Sequence, residues 1–397
     1  RYFDENLIYS LDSVSLRYNY FGRTGEESTP LHLSEMGEDT KWLMLEQIFG
    51  GTDKEENLLK RKTEILQQIN QQDPLNRPLF TLFSGIALTE GQNIEGWDTK
   101  QIIHYYLKRQ EEKLWSKNNL WHKHKSSLKN LLWLATICEF LEYADIEYII
   151  DNAKGIIDFE LSDENDQNLD ELFSAFREIS RLVEYPGLKP DILGEYFIVK
   201  HIEELSKSPK KRLRNVVISL LELAWEIRPE NTAWMTYLTA DNFGSSQGYA
   251  TIEHFVLNTS FRDSESFNAE DFMLEMGILF YNNHCYNKAI DYFSKSILAD
   301  NHIAINMLAL CQSHLSNHME AEKYFLKAKA LNNPSASYNL AMLYMSLGRN
   351  LEAEQHFMSA IELHKHPDAV LQLALLYYNG NNKKDSALQL ITNWEKN

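Results

Sequence analysis

The chain has 397 residues, 44% of them hydrophobic, including 20 Tyr, 19 Phe and 8 Trp. That is enough apolar material for more than one core, and it excludes a disordered chain. A formal net charge of −18 argues against non-specific binding of nucleic acid by the whole chain, which requires clustered cations, and the one short basic run, Lys207 to Arg214, reads as a solvated helix start rather than a nucleic-acid patch. Gly and Pro number only 16 and 9, so helix is favoured over sheet and the expected fold is mainly α.

Residues 1–50 show no clear period. From Glu56 to Gln71 the apolar spacing (Leu58, Leu59, Ile65, Leu66, Ile69) predicts a helix that Asp73-Pro74 ends. Leu79 to Leu88 is a second, strongly apolar helix. After a loop from Gly91 to Gly96, Asp98 can cap a helix running to about Lys117. Leu128 to Phe140 is apolar nearly all round and is expected to be buried. Ile146 to Ala153 and Leu169 to Ile179 are shorter helices, Arg181 to Tyr185 reads as an extended segment, and Pro190 to Leu205 and Leu213 to Ile227 are helical. Short helices with one extended wing suggest a winged-helix-like unit, and further helices lead to about Val256.

The last third repeats. Small residues recur at Ala289, Ala321, Ala353 and Ala387, at intervals of 32, 32 and 34 residues. Four residues on come Phe293, Phe325, Phe357 and Ile391, and three later Ser296, Ala328 and Ala360. A preceding helix carries its own small residue at Gly277, Ala309, Ala341 and Ala374, followed three residues later by Phe280, Gln312, Tyr344 and Tyr377. Two antiparallel helices approach closely only where side chains are small, and an aromatic then fills the hole between one hairpin and the next. A single hairpin cannot bury its own apolar face, so stacking supplies the core. Turn residues fall between the helices at Asn282-Asn283, Ser316-Asn317, Gly348-Arg349-Asn350 and Gly380-Asn381-Asn382.

This pattern resembles the tetratricopeptide repeat family over about residues 267–397. The intervals run slightly short of the usual ~34 residues, which leaves a related helical-hairpin repeat open. The resemblance implies a superhelix whose first helices line a groove that holds a protein ligand. Leu274, Ile278, Tyr281, Asn306, Leu310, Tyr338, Met342 and Met345 would face that groove. Read as residues alone, the same side chains fit an inter-repeat core equally well.

A second resemblance lies upstream. Asp73-Pro74-Leu75-Asn76-Arg77-Pro78-Leu79-Phe80, Glu90-Gly91, Gly96-Trp97-Asp98, Arg109-Gln110-Glu111-Glu112 with Trp115, and Pro190 to Phe197 together resemble the region after the nucleotide-binding core of bacterial STAND ATPases. That family places a helical lid, a winged helix and then repeats in this order. The resemblance covers about residues 60–205, and with the residue patterns it gives an expected division into an irregular N-terminal segment and lid-like region over 1–123, a winged-helix-like region over 124–206, connecting helices over 207–266 and the repeat array over 267–397. It also implies that Pro78, with Arg77 beside it, packs against a bound nucleotide, although a proline opening a helix is also an ordinary start signal.

No G-x-x-x-x-G-K-[ST] motif is present, and neither Phe21 to Gly25 nor Phe243 to Gly248 supplies the lysine that reaches phosphate. The chain alone is therefore not expected to be an enzyme or to hold a cofactor; ATP or ADP would require a nucleotide-binding core upstream of Arg1. The paired histidines His122/His124 and His364/His366 lie two apart, a poor spacing for a metal site on a helix.

Three widely spaced cysteines in apolar patterns, Cys138, Cys285 and Cys311, indicate a reducing cytoplasm. No run of 18 apolar residues suggests a membrane span. The expected function is the ligand-sensing, regulatory part of a STAND-type signalling ATPase, with antiphage defence as one such role and homo-oligomerisation as part of the response. The alternative is a freestanding repeat scaffold or adaptor with no nucleotide role.

Overall fold

The computed structural model describes residues 37–394 apart from 74–76, 114, 153–155, 159–166, 168, 170–184, 189–190, 262, 264–266, 297–299 and 380–383. The described chain is mainly α and divides into two compact units, Arg1–Phe255 and Val256–Asn397.

The first unit begins with α1 (Glu38–Phe49), α2 (Glu55–Leu59), α3 (Lys62–Gln72), α4 (Pro78–Thr89) and α5 (Thr99–Lys113). Every residue of α4 from Leu79 to Leu88 is buried. A helix with no polar face is stable only when other elements wrap it, and here Phe83 stacks on Tyr106 of α5 with ring centroids 4.0 Å apart. The single helix expected over Glu56–Gln71 is two. Arg61 leaves the helical region (φ −105°, ψ 24°) and its Nε instead binds Glu64 at 3.0 Å. The expected cap at Asp98 forms: its Oδ1 accepts the Gln101 N–H at 2.8 Å, and Gln101 Oε1 accepts the Asp98 N–H at 2.7 Å. This reciprocal arrangement satisfies two end donors at once. The helix stops at Lys113, short of the expected Lys117, and Trp115–Lys117 form a 3-10 turn that buries Trp115.

Next come α6 (Asn119–Ile137), β1 (Phe140–Leu141), α7 (Tyr143–Asn152), β2 (Tyr185–Pro186), α8 (Asp191–Ser206), α9 (Lys211–Ile227), α10 (Pro229–Phe243) and α11 (Gln247–Asn258). α6 is the centre of this group. Trp133 donates to the Ile198 carbonyl at 3.1 Å, and Asn130 holds the buried His201 ring at 2.8 Å. Burial pushes the His201 imidazole down to about 3, so it is neutral. β1 and β2 pair antiparallel, Phe140 with Pro186 and Leu141 with Tyr185. Of the extended segment expected over Arg181–Tyr185 only Tyr185 is among the described residues, and the helix expected over Leu169–Ile179 lies outside them apart from Leu169. Gly248 permits a close approach of α11 to α8: a Cβ there would lie 1.9 Å from the Val199 carbonyl oxygen.

The second unit is an α-solenoid of four hairpins: α12 (Ala269–Asn282) with α13 (Tyr286–Ser296), α14 (His302–His314) with α15 (His318–Ala330), α16 (Ala336–Ser346) with α17 (Asn350–His364), and α18 (Pro367–Asn379) with α19 (Lys384–Trp394). Ala289, Ala321 and Ala353 are fully buried, as are Phe293, Phe325 and Phe357 to within 1%. The turns inside the first three hairpins share one geometry. His284, Ser316 and Gly348 each take a positive φ, and the next N–H reaches back to close the helix: Cys285 to Phe280 O at 2.8 Å, Asn317 to Gln312 O at 2.9 Å and Arg349 to Tyr344 O at 2.9 Å. A left-handed residue followed by this long reach satisfies carbonyls that the helix end leaves open.

Candidate protein-binding surface

Each first helix buries one side against its own hairpin and leaves a stripe with helical spacing. On α12 the buried side is Phe272, Met273, Leu274, Met276, Gly277, Leu279 and Phe280, and of the remaining residues Asp271, Glu275, Ile278 and Tyr281 follow one another at helical spacing. Neighbouring first helices adjoin. Asn339 Nδ2 of α16 donates to Asn306 Oδ1 of α14 at 3.1 Å, and the Tyr281 hydroxyl of α12 is 3.0 Å from His314 Nε2 of α14. The stripes of α12, α14 and α16 therefore form one continuous face.

The eight residues expected on this face divide into two groups. Leu274 and Asn306 are buried, at 9% and 6% exposure, so they act chiefly within the stack. Ile278, Tyr281, Leu310, Tyr338, Met342 and Met345 are half-buried. Leu310, Tyr338, Met342 and Met345 rest one side against the core formed by Ala309, Phe325, Ala341 and Phe357. Tyr338 also stacks on His366 at 4.4 Å between ring centroids, and burial followed by nearby Asp368 raises its phenol pKa.

Residues not anticipated from the sequence extend the face. Ile303 is 45% exposed on α14, and Leu371, Leu375 and Tyr378 are 54%, 44% and 58% exposed on α18. The signal was present: Leu375 and Tyr378 stand one and four residues after Ala374, as Met342 and Met345 stand after Ala341. Isolated exposed apolar residues are ordinary, whereas a run of them on one face of stacked helices makes a contiguous apolar patch.

The pair expected near a nucleotide has other contacts. Pro78 opens α4. Arg77 binds the buried carboxylate of Asp73 through Nε at 3.0 Å and through its terminal nitrogen at 2.8 Å. Its guanidinium also lies 4.3 Å from the Phe80 ring centre. At the other end of α4, Glu90 accepts from Tyr105, from Arg109 at 2.7 Å and from Lys113. Burial alone would raise its pKa; these three donors outweigh that and hold the carboxyl at about 2.

Among the described residues no helix is long and apolar enough to cross a membrane, and no group of three or more His, Cys, Asp or Glu is placed to hold a metal ion. No curated protein matches the chain. A solved structure from the functional characterization of Pseudomonas aeruginosa pilF is 16% identical, over 51% of this chain and 95% of that one, with a TM-score of 0.31. The family model for the tetratricopeptide repeat matches residues 334–365, so the third hairpin, α16 with α17, is similar to a repeat of that family.

Proposed function

We propose that the chain is a protein-binding scaffold that captures a protein ligand on the shared face of α12, α14, α16 and α18. The observation that carries this reading is the apolar side chains left half-buried or exposed at one equivalent position of all four hairpins, Ile278, Leu310, Met342 and Leu375. The finer reading is that this capture serves as the sensor of a STAND-type signalling ATPase. Its support is the order of segments in the sequence, a lid-like region before a winged-helix-like region before repeats. The freestanding adaptor is favoured by a different observation: Arg77, the residue proposed beside the nucleotide, already binds Asp73 and stacks on Phe80.

The test is capture by the full chain from bacterial lysate, with and without phage infection, compared with a Met342→Glu, Leu375→Glu variant of unchanged helicity. Loss of a specific partner in the variant is expected. A partner present only after infection would favour the sensor, and an unchanging set of host partners would favour the adaptor. Undiminished capture by the variant would remove the shared face from the reading.

A further inference from the structure

The charge on the shared face is as one-sided as its apolarity. The four first helices, α12, α14, α16 and α18, contain no lysine and no arginine. All the lysines within helices of this unit lie on the second helices, such as Lys323 and Lys327 of α15. The face is therefore closed to the usual recognition of an anionic peptide, which requires arginine or lysine.

Its formal charges are acidic, and one of them lacks an ordinary structural explanation. Asp271 and Asp368 stand in the first turns of their helices, where the helix dipole favours acids. Glu275 is one turn further in, between Asp271 and Ile278 on the free stripe. It is half-buried, and burial followed by the neighbouring Asp271 raises its pKa. Among the described residues no Lys, Arg or His is ion-paired with either carboxylate. A half-buried carboxylate beside a like charge, left without a cation, is an unfavourable arrangement that a cationic ligand group would relieve.

The backbone of the occupant is constrained too. An extended peptide leaves its N–H and C=O groups to be satisfied by the surface it covers. The amides best placed to do so, Asn306 and Asn339, bond to each other. The side chains at the centre of the face, Ile278, Leu310, Met342 and Met345, offer no strong hydrogen-bonding groups, and its hydroxyls and carboxylates lie to either side of them. A helix satisfies its own backbone and needs only an apolar bed, with methionines able to adapt to its side chains.

We propose that the shared face takes an amphipathic helix of a partner protein, its apolar stripe against Ile278, Leu310 and Met342 and a lysine or arginine on its flank against Glu275 and Asp271. This rests on the protein-binding reading above and specifies the partner's chemistry. The interaction is of helix-in-groove type, in which apolar anchors supply affinity and the charge pair sets orientation and choice of partner.

The test uses the full chain and two labelled helical peptides with the same leucine stripe, one with lysine flanks and one with glutamate flanks, followed by fluorescence anisotropy. Because the chain is acidic overall, the reference is a Glu55→Gln, Glu56→Gln variant that removes the same charge far along the sequence. The lysine-flanked peptide is expected to bind about tenfold tighter than the glutamate-flanked one. That preference should fall severalfold in Asp271→Asn, Glu275→Gln and remain in the reference variant. Binding of both peptides should be lost in Met342→Glu. Equal loss of preference in the two neutralised variants would overturn the charge pairing. Tighter binding of the glutamate-flanked peptide, abolished by Met342→Glu, would overturn it too while leaving the protein-binding face intact. Binding of neither peptide would overturn the helix assignment, and the protein-binding reading would then stand on the capture experiment alone.

Discussion

Gly277 of α12 faces the ring of Phe293 of α13 so closely that a Cβ on the glycine would lie 2.4 Å from the Phe293 Cε1 and 2.5 Å from its Cδ1. The other three hairpins carry alanine at this position, Ala309, Ala341 and Ala374, all buried. The first hairpin is thus more tightly closed than its neighbours, and its glycine is required by the approach of a fully buried ring rather than by a turn.

Replacing Gly277 with alanine is therefore expected to destabilise the first hairpin by about 1–3 kcal/mol, the usual cost of overpacking a filled core. Hydrogen exchange of the α12 and α13 amides would read this directly, since repeat arrays open locally. Phe293→Leu in the same background should recover part of the loss by making room. If Gly277→Ala leaves exchange in these helices unchanged, the close approach does not limit the packing of this hairpin.

Two tyrosines join successive hairpins in the same way. The Tyr344 hydroxyl donates to Glu322 of the preceding hairpin at 2.6 Å, and the Tyr377 hydroxyl donates to Glu354 at 2.8 Å. Tyr344→Phe and Tyr377→Phe are each expected to cost about 1 kcal/mol, the net worth of one such bond. Burial, then the adjacent carboxylate, pushes each phenol up to about 12 from an ordinary value of 10.0. A group whose pKa is raised by folding stabilises the fold below its unfolded value, and that contribution is lost as pH rises from about 10 towards 12. Thermal melts across this window should show the wild type losing stability more steeply than the double phenylalanine variant. Parallel slopes would show that the phenols contribute nothing linked to their ionisation.

Much of the array is legible in the sequence because its constraint is steric and recurs. Ala321 with Phe325 and Ala353 with Phe357 fill equivalent holes, so residue size alone reveals the hairpins. The positive-φ turns were marked less evenly: Gly348 is a plain signal, whereas His284 and Ser316 adopt the same geometry without the residue that usually announces it. The break at Arg61 was not legible, because the apolar period runs straight through it and a local guanidinium–carboxylate contact accompanies the change. The exposed residues of the fourth hairpin could have been read from their register with Met342 and Met345. The isolation of Glu275 could not, since it depends on which neighbours the fold brings near.

Arg77 offers a direct way to separate a structural role from a nucleotide role in the first unit. Its guanidinium meets Asp73, whose side chain is 1% exposed. Arg77→Ala would leave that carboxylate without its cation and is expected to cost about 1–3 kcal/mol. The Arg77→Ala, Asp73→Asn pair should lose less than the sum of the separate changes, because the partners form one interaction. If the role is structural, ADP will not raise the melting temperature of the wild-type chain. Stabilisation by ADP that disappears in Arg77→Ala would instead favour the lid reading.

Glu90 should make the first unit sensitive to acid. Its carboxyl lies at about 2 instead of the ordinary 4.5, with burial opposed by Lys113, Tyr105 and Arg109. A depressed pKa stabilises the fold above the unfolded value, so this contribution is complete above pH 4.5 and drains away as pH falls towards 2. Glu90→Gln preserves the shape of the side chain but removes the charge that three donors converge on. It is expected to cost about 1–3 kcal/mol at neutral pH and to flatten the acid limb of stability between those values. Following tryptophan fluorescence isolates this transition, because seven of the eight tryptophans lie before residue 256 and only Trp394 follows it. Trp97, 5.5 Å from Tyr105 between ring centroids, reports close to the carboxylate itself. An acid limb equally steep in wild type and variant would assign the sensitivity to other carboxylates and leave Glu90 a structural link whose ionisation is not felt.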